Sequence, residues 1–163
     1  MSRLPRDVRD RLELERGERV LAHAATRGGS VVVATRDALH VPDGAGGFVR
    51  LPWERVLRAS WEGDALHVWG DDGEHRVRLV DPGSVPEVVQ ERVTSTVVVS
   101  RHFDLGDGGV RIVGRRPARE RPSPARGELL WAMVFDDGVD PDEPGVRAKA
   151  EQLLHAVRRQ VGL

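Results

Sequence analysis

Apolar and polar positions alternate most regularly between Leu51 and Val80, in LPWERVLRASWEGDALHVWGDDGEHRVRLV. A period of two is the mark of half-buried strands, so this stretch predicts three antiparallel strands. Tight turns are expected at Gly63-Asp64 and Asp72-Gly73, because Gly suits the first position of a type II′ turn and Asp-Gly suits type I′. Counting outward from the first turn pairs Trp61 with Leu66, Ala59 with Val68 and Leu57 with Gly70. From the second it pairs Leu66 with Leu79 and Val68 with Val77. These residues share one face, which makes Trp61 a core aromatic. Arg58, Ser60, His67, Trp69, Arg76 and Arg78 share the other, with Trp69 between Arg58 and Arg76. A slip of one residue at either turn would mix the two faces.

Upstream, the same alternation predicts strands over residues 19–26, 30–35, 38–41 and 48–51. Gly28-Gly29, Arg36-Asp37 and the loop Pro42–Gly47 separate them. A short charged segment, Pro5–Leu14, places Leu4, Val8 and Leu12 on one helical face. Downstream, Ser84 and Glu87 have capping-box spacing, and Val85, Val88, Val89 and Val93 recur at helical spacing. A helix is therefore expected over Val85–Val93.

From Thr96 onward a second unit is expected. Thr96–Phe103 and Gly109–Arg115 read as a hairpin. Glu128–Phe135 is apolar on both faces, as a central or covered strand would be. Val146, Ala150, Leu153, Leu154, Val157 and Val161 form a single helical stripe within Asp140–Gly162. The pattern divides the chain into an N-terminal helical segment (1–16), a sheet-and-helix domain (17–95) and a β-β-β-α unit (96–163).

Composition narrows the chemistry. The 163 residues carry a net charge of −1, so no global field draws the protein to nucleic acid or membrane, and anion binding must be local. There is no cysteine, which excludes disulfides, thiolate metal sites and cysteine nucleophiles. Lys149 is the only lysine, an Arg bias that fits a GC-rich bacterial genome before it implies function. No apolar run reaches membrane-spanning length, and the first residues lack a signal-peptide core. A cytoplasmic protein is expected.

Thr35 with Leu39, and then Pro52-Trp53-Glu54-Arg55-Val56, resemble the "TxxxL" hairpin and the "P-aromatic-acidic-x-aliphatic" strand entry of bacterial pleckstrin-homology-like and GRAM-like domains. The resemblance covers residues 17–95. It implies an α+β fold, a seven-stranded antiparallel PH-like barrel with a capping helix, here followed by the small β-β-β-α unit. It also implies a binding or oligomerisation module and not an enzyme. The basic first-hairpin motif of phosphoinositide-binding members is missing, since Thr26-Arg27-Gly28-Gly29 holds one arginine.

Residue by residue, no catalytic, cofactor or metal site is expected. The six histidines have no metal-ligand spacing, and Ser30 lacks the flanks of a nucleophile elbow. The acidic run Asp136–Glu143 is explained by turns and by negative charge at a helix start. Two candidate surfaces remain. One is the face of Arg58, His67, Trp69, Arg76 and Arg78. The other is an arginine loop holding Arg115, Arg116, Arg119 and Arg121. The leading expectation is protein binding or self-association through an open strand edge. The alternative is an anion binder for nucleic acid or an acidic lipid surface. A hydrolase or transferase with an unrecognised site is the least favoured.

Overall fold

The computed structural model describes residues 3–116 and 129–162. The chain divides into two compact units, Met1–Ser95 and Thr96–Leu163.

The first unit begins with helix α1 (Arg6–Leu12), whose Leu12 is buried. Strands β1 (Val20–Ala25), β2 (Val31–Thr35), β3 (Ala38–Pro42) and β4 (Phe48–Pro52) pair in sequence order as one antiparallel sheet. A 3-10 turn (Trp53–Arg55) leads into β5 (Val56–Glu62), β6 (Ala65–Gly70) and β7 (Gly73–Arg78), which form a separate sheet. Helix α2 (Val85–Ser95) packs against β1, β2, β5 and the 3-10 turn, burying Val85 and Val89.

The expected seven-stranded barrel is therefore not formed. Among the described residues ten strands lie in three small sheets of four, three and three, and the first seven are split between two of them. The break falls at Pro52-Trp53. Proline has no N–H to continue the β4 ladder, and Trp53 turns fully inward, with its indole Nε1 donating to the Thr35 carbonyl at 2.9 Å. The chain leaves the first sheet there, and β4 and β5 do not pair. At the opposite edges the sheets meet at one bridge, Thr26 with Leu79. Backbone bonds from Val80 to Ala25 and from Arg27 to Arg78 flank it. One bridge is a contact between edges and not a closed ladder.

Inside the meander the first turn is as expected, with Glu62 opposite Ala65 and Gly63 at φ 58. The observed pairs include Trp61 with Leu66 and Ala59 with Val68, but a bulge at Leu57 brings Val56 opposite Gly70. The second turn is displaced. Gly70 pairs with Gly73, so the turn residues are Asp71-Asp72, and Leu66 meets Val77 while Val68 meets His75. Only Gly73 takes a positive φ there, 126°. The turn moves by one residue and the pairing by two, which leaves every side chain on its expected face. It does change neighbours: Trp69 lies between Arg58 and Glu74, and Arg76 is opposite His67.

Trp61 is half-buried, so it is not the core aromatic; that role belongs to Trp53, which is fully buried. Around Trp53 the core contains Leu39, Val32, Val33, Val56 and Val68.

In the second unit, β8 (Val97–Asp104), β9 (Gly109–Arg115) and β10 (Leu130–Phe135) form an antiparallel sheet in the order β10-β9-β8. The apolar strand, expected to be central or covered, is an edge strand, and Trp131, Met133 and Phe135 on it pack against the core of this unit. The centre is β9, which is buried at every position except Arg111. Helix α3 (Pro144–Val161) packs Ala150 and Val157 onto Val110 and Ile112, with Trp131, Met133 and Phe135 alongside. It starts later than Asp140. Pro144 opens the helix, and the Asp140 carboxylate instead accepts from the Asp142 N–H in the preceding turn. Gly162 closes it at φ 75.

Candidate functional site

Strand β5 is an edge. It pairs with β6 on one side, and among the described residues no strand pairs with it on the other. The two-residue turn fixes which groups face that open side. Glu62 and Ala65 close the hairpin as a hydrogen-bonded pair, so Ser60 and Arg58 also bond inward to β6. Ala59 and Trp61 then direct their backbone N–H and C=O groups away from the sheet.

Beside these groups lies an open groove of about 710 Å³. Trp61 forms its floor, and one face of α2 forms its wall through Pro86, Glu87, Gln90, Glu91 and Thr94. The helix presents this face because Val85 and Val89 point into the core, which leaves the polar residues of the i, i+4 rows outside. Glu87 and Glu91 are one turn apart. Arg92 donates to Glu91 Oε1 at 2.7 Å, while Glu87 forms no ion pair among the described residues. The groove is apolar at Trp61 and acidic at its wall, and the open edge of β5 beside it carries backbone groups that require partners or water.

The expected Arg58–Trp69 contact is present on the outer face of the same sheet. The Arg58 guanidinium carbon lies 4.8 Å from the Trp69 ring centroid, and His67 stacks on Trp69 at 3.6 Å. The charge there is largely balanced. His67 Nε2 lies 3.3 Å from Glu74, and Arg78 lies 3.5 Å from Asp64, which also takes Arg27 at 2.5 Å. The Arg27 hydrogen bond holds the Asp64 carboxyl below its usual pKa. A face built this way offers little net positive potential to a phosphate.

The arginine loop is not a single surface. Arg115 ends β9 and is buried, with Nη1 donating to Thr96 Oγ1 at 2.7 Å. Burial lowers its pKa, although a guanidinium stays charged. Arg116 is exposed, and its backbone N–H bonds to the Thr96 carbonyl at 2.8 Å. Arg119 and Arg121 lie outside the described residues.

One buried polar cluster was not legible as such. The Glu18 carboxylate takes the Thr35 hydroxyl at 2.6 Å, the Glu15 N–H at 2.9 Å and the His40 Nε2 at 3.0 Å, with Arg50 at 3.4 Å. Burial pushes its pKa up, but the Thr35, Glu15 and His40 hydrogen bonds and the Arg50 charge outweigh burial and hold it below the usual value. Burial lowers the His40 pKa more than Glu18 raises it. The neutral ring donates from Nε2, and its buried Nδ1 has no hydrogen-bond partner. The Thr35 hydroxyl also accepts from the N–H groups of Asp37 and Ala38, which sets the β2–β3 turn. This cluster is sealed from solvent and organises the fold.

In the second unit His102 bridges both Asp136 oxygens at 3.0–3.1 Å, and the Gly109 N–H donates to the same carboxylate at 2.8 Å. The His102 hydrogen bond holds the Asp136 pKa down. The pair pins the end of the hairpin to the residue after β10. Among the described residues no three acidic or histidine side chains gather to hold a metal ion, and no helix is long and apolar enough to cross a membrane.

The site residues the sequence did not single out are Ala59, Trp61, Glu87, Gln90 and Glu91. Hydrogen-bond parity from the first turn, combined with the polar rows of the 85–93 helix, was the available signal. No family model matches the chain, and no curated protein and no solved structure matches it.

Proposed function

We propose that this chain is a non-enzymatic protein-binding module that takes an extended peptide segment as an added strand on β5, beside α2. The observation that carries the reading is the free β5 edge, on which Ala59 and Trp61 turn their backbone groups outward, with Trp61 and one face of α2 lining a groove beside it. An added strand would satisfy these backbone groups, and Trp61 supplies a large, half-buried contact surface.

The test is a titration of isotope-labelled protein with a library of extended peptides, read on backbone amides. Binding shifts the amides of Ala59 and Trp61 first, and Trp61→Ala abolishes it while the protein remains folded. Amide shifts confined to the Arg58–Trp69 face, or no binding by any peptide, would overturn the proposal.

A further inference from the structure

We infer that the segment taken on β5 carries an apolar residue followed, two positions on, by a basic residue, both turned toward α2. This rests on the strand-addition reading above and names the chemistry of its ligand. In an added strand alternate side chains face the groove, about 7 Å apart. The α2 wall repeats on a similar scale, since residues four apart on a helix are separated by about 6 Å along its axis. One groove-facing side chain therefore meets Trp61, and the next reaches the ridge of Glu87 and Glu91.

Charge selects what that second side chain is. Glu91 already holds Arg92, and Glu87 has no ionic partner among the described residues. A lysine or arginine in the segment gives Glu87 one, whereas an aspartate or glutamate would meet two carboxylates on one ridge. The apolar position follows from the indole floor, which a valine or leucine covers and a charged side chain would leave wet. Residues facing the opposite side of the added strand meet no wall and are unrestricted.

The probes are three peptides of about nine residues, enough to span β5. Each has threonine at odd positions. The even positions alternate valine with lysine, valine with glutamate, or valine with serine. At about 50 mM salt, where exposed charges are weakly screened, the lysine peptide should bind about three- to tenfold tighter than the serine peptide, and the glutamate peptide weaker still. Glu87→Gln should remove most of the lysine preference without changing affinity for the serine peptide. Glu91→Lys should reverse the order of the two charged peptides. Equal affinities for all three, with Ala59 and Trp61 amides shifting in each case, would overturn this inference and leave strand addition standing. No binding by any of them, with no shift at those amides, would overturn both. Pairing of two copies through β5 would show as a dimer in light scattering that Trp61→Ala dissociates, and would replace the peptide as occupant.

Discussion

The two sheets of the first unit treat polar groups in opposite ways. The β1–β4 sheet takes a carboxylate, an imidazole and a hydroxyl out of water and joins them to one another. The β5–β7 sheet keeps its charged residues at the surface, pairs them loosely and leaves one backbone edge open. Buried polar groups are expensive unless paired, and Glu18, Thr35 and His40 Nε2 pair with one another while only the His40 Nδ1 of these three side chains is left over, so the first arrangement favours a single structure. Exposed pairs contribute little to stability, so the second sheet is free to be used for recognition.

The sharpest way to break this comparison is to remove an indole from each sheet's surroundings. Trp53→Ala empties the fully buried site and loses the bond to the Thr35 carbonyl, and should destabilise by about 3–5 kcal/mol in urea unfolding. Trp69→Ala should cost less, about 1 kcal/mol, since it removes a cation–π contact and a stacked imidazole from a half-buried site on the outer face. Trp61→Ala should fall between them in stability and exceed both in its effect on peptide binding. Comparable losses at Trp53 and Trp69 would mean the two sheets are not different in kind.

Next in size is the carboxylate that holds the first sheet together. Glu18→Ala leaves Thr35, His40 and the Glu15 N–H without their acceptor in a buried site, and should destabilise by about 3 kcal/mol. Thr35→Val should cost less, because the side chain keeps its shape and only the hydroxyl's bonds are lost. If Glu18→Ala unfolds no more easily than a substitution at exposed Glu74, the cluster is not what holds these strands.

The same cluster sets a pH dependence for the first sheet. Burial holds the folded pKa of His40 below the ordinary histidine value of 6.5, so below that pH the unfolded chain binds the proton more readily. Its contribution is fully present above about 6.5 and is lost as pH falls toward the folded pKa. Glu18 is likewise lowered from 4.5, so its contribution is present above that value and disappears below it. Stability should therefore decline on acidification, from below about 6.5 through His40 and with a further contribution from Glu18 below about 4.5. Replacing His40 with glutamine should flatten the upper window and leave the lower one, as measured by denaturant midpoints across the range. A profile that is flat between neutral pH and about 5 would contradict a buried, neutral His40.

These differences also explain what the sequence made legible. The strands of the first unit, and the faces of the meander, follow from period two, which depends only on local alternation. The turn at Asp71-Asp72 was misplaced because Asp72-Gly73 has the better local turn chemistry, whereas the chain uses Gly70 and Gly73 as the closing pair. Closure was misjudged for a longer-range reason: whether β4 pairs with β5 depends on Trp53 finding Thr35, eighteen residues earlier. His40 looked like a single polar position in an alternating run, and only the arrival of Glu18 from β1's leading end makes it a buried one. The groove was hidden because it belongs to two elements, an edge strand and a helix, each ordinary alone. Arg58 and Trp69 were legible because they are cross-strand neighbours on either side of one turn.

The smallest expected effect tests that last pair. Arg58→Ala should change stability by roughly 0.5–1 kcal/mol, the usual scale of a guanidinium over an indole on an outer sheet face. A double-mutant cycle with Trp69→Ala isolates the coupling from whatever else Arg58 touches. The expected coupling is of that same size, and peptide affinity at the β5 edge should be unaffected, because Arg58 and Ala59 point to opposite faces of the strand. Loss of binding with Arg58→Ala would mean that the outer face, with Trp69 and His67, is where partners dock. The division between a sheet that holds the fold and an edge that recognises would then have to be drawn across the opposite face of the same three strands.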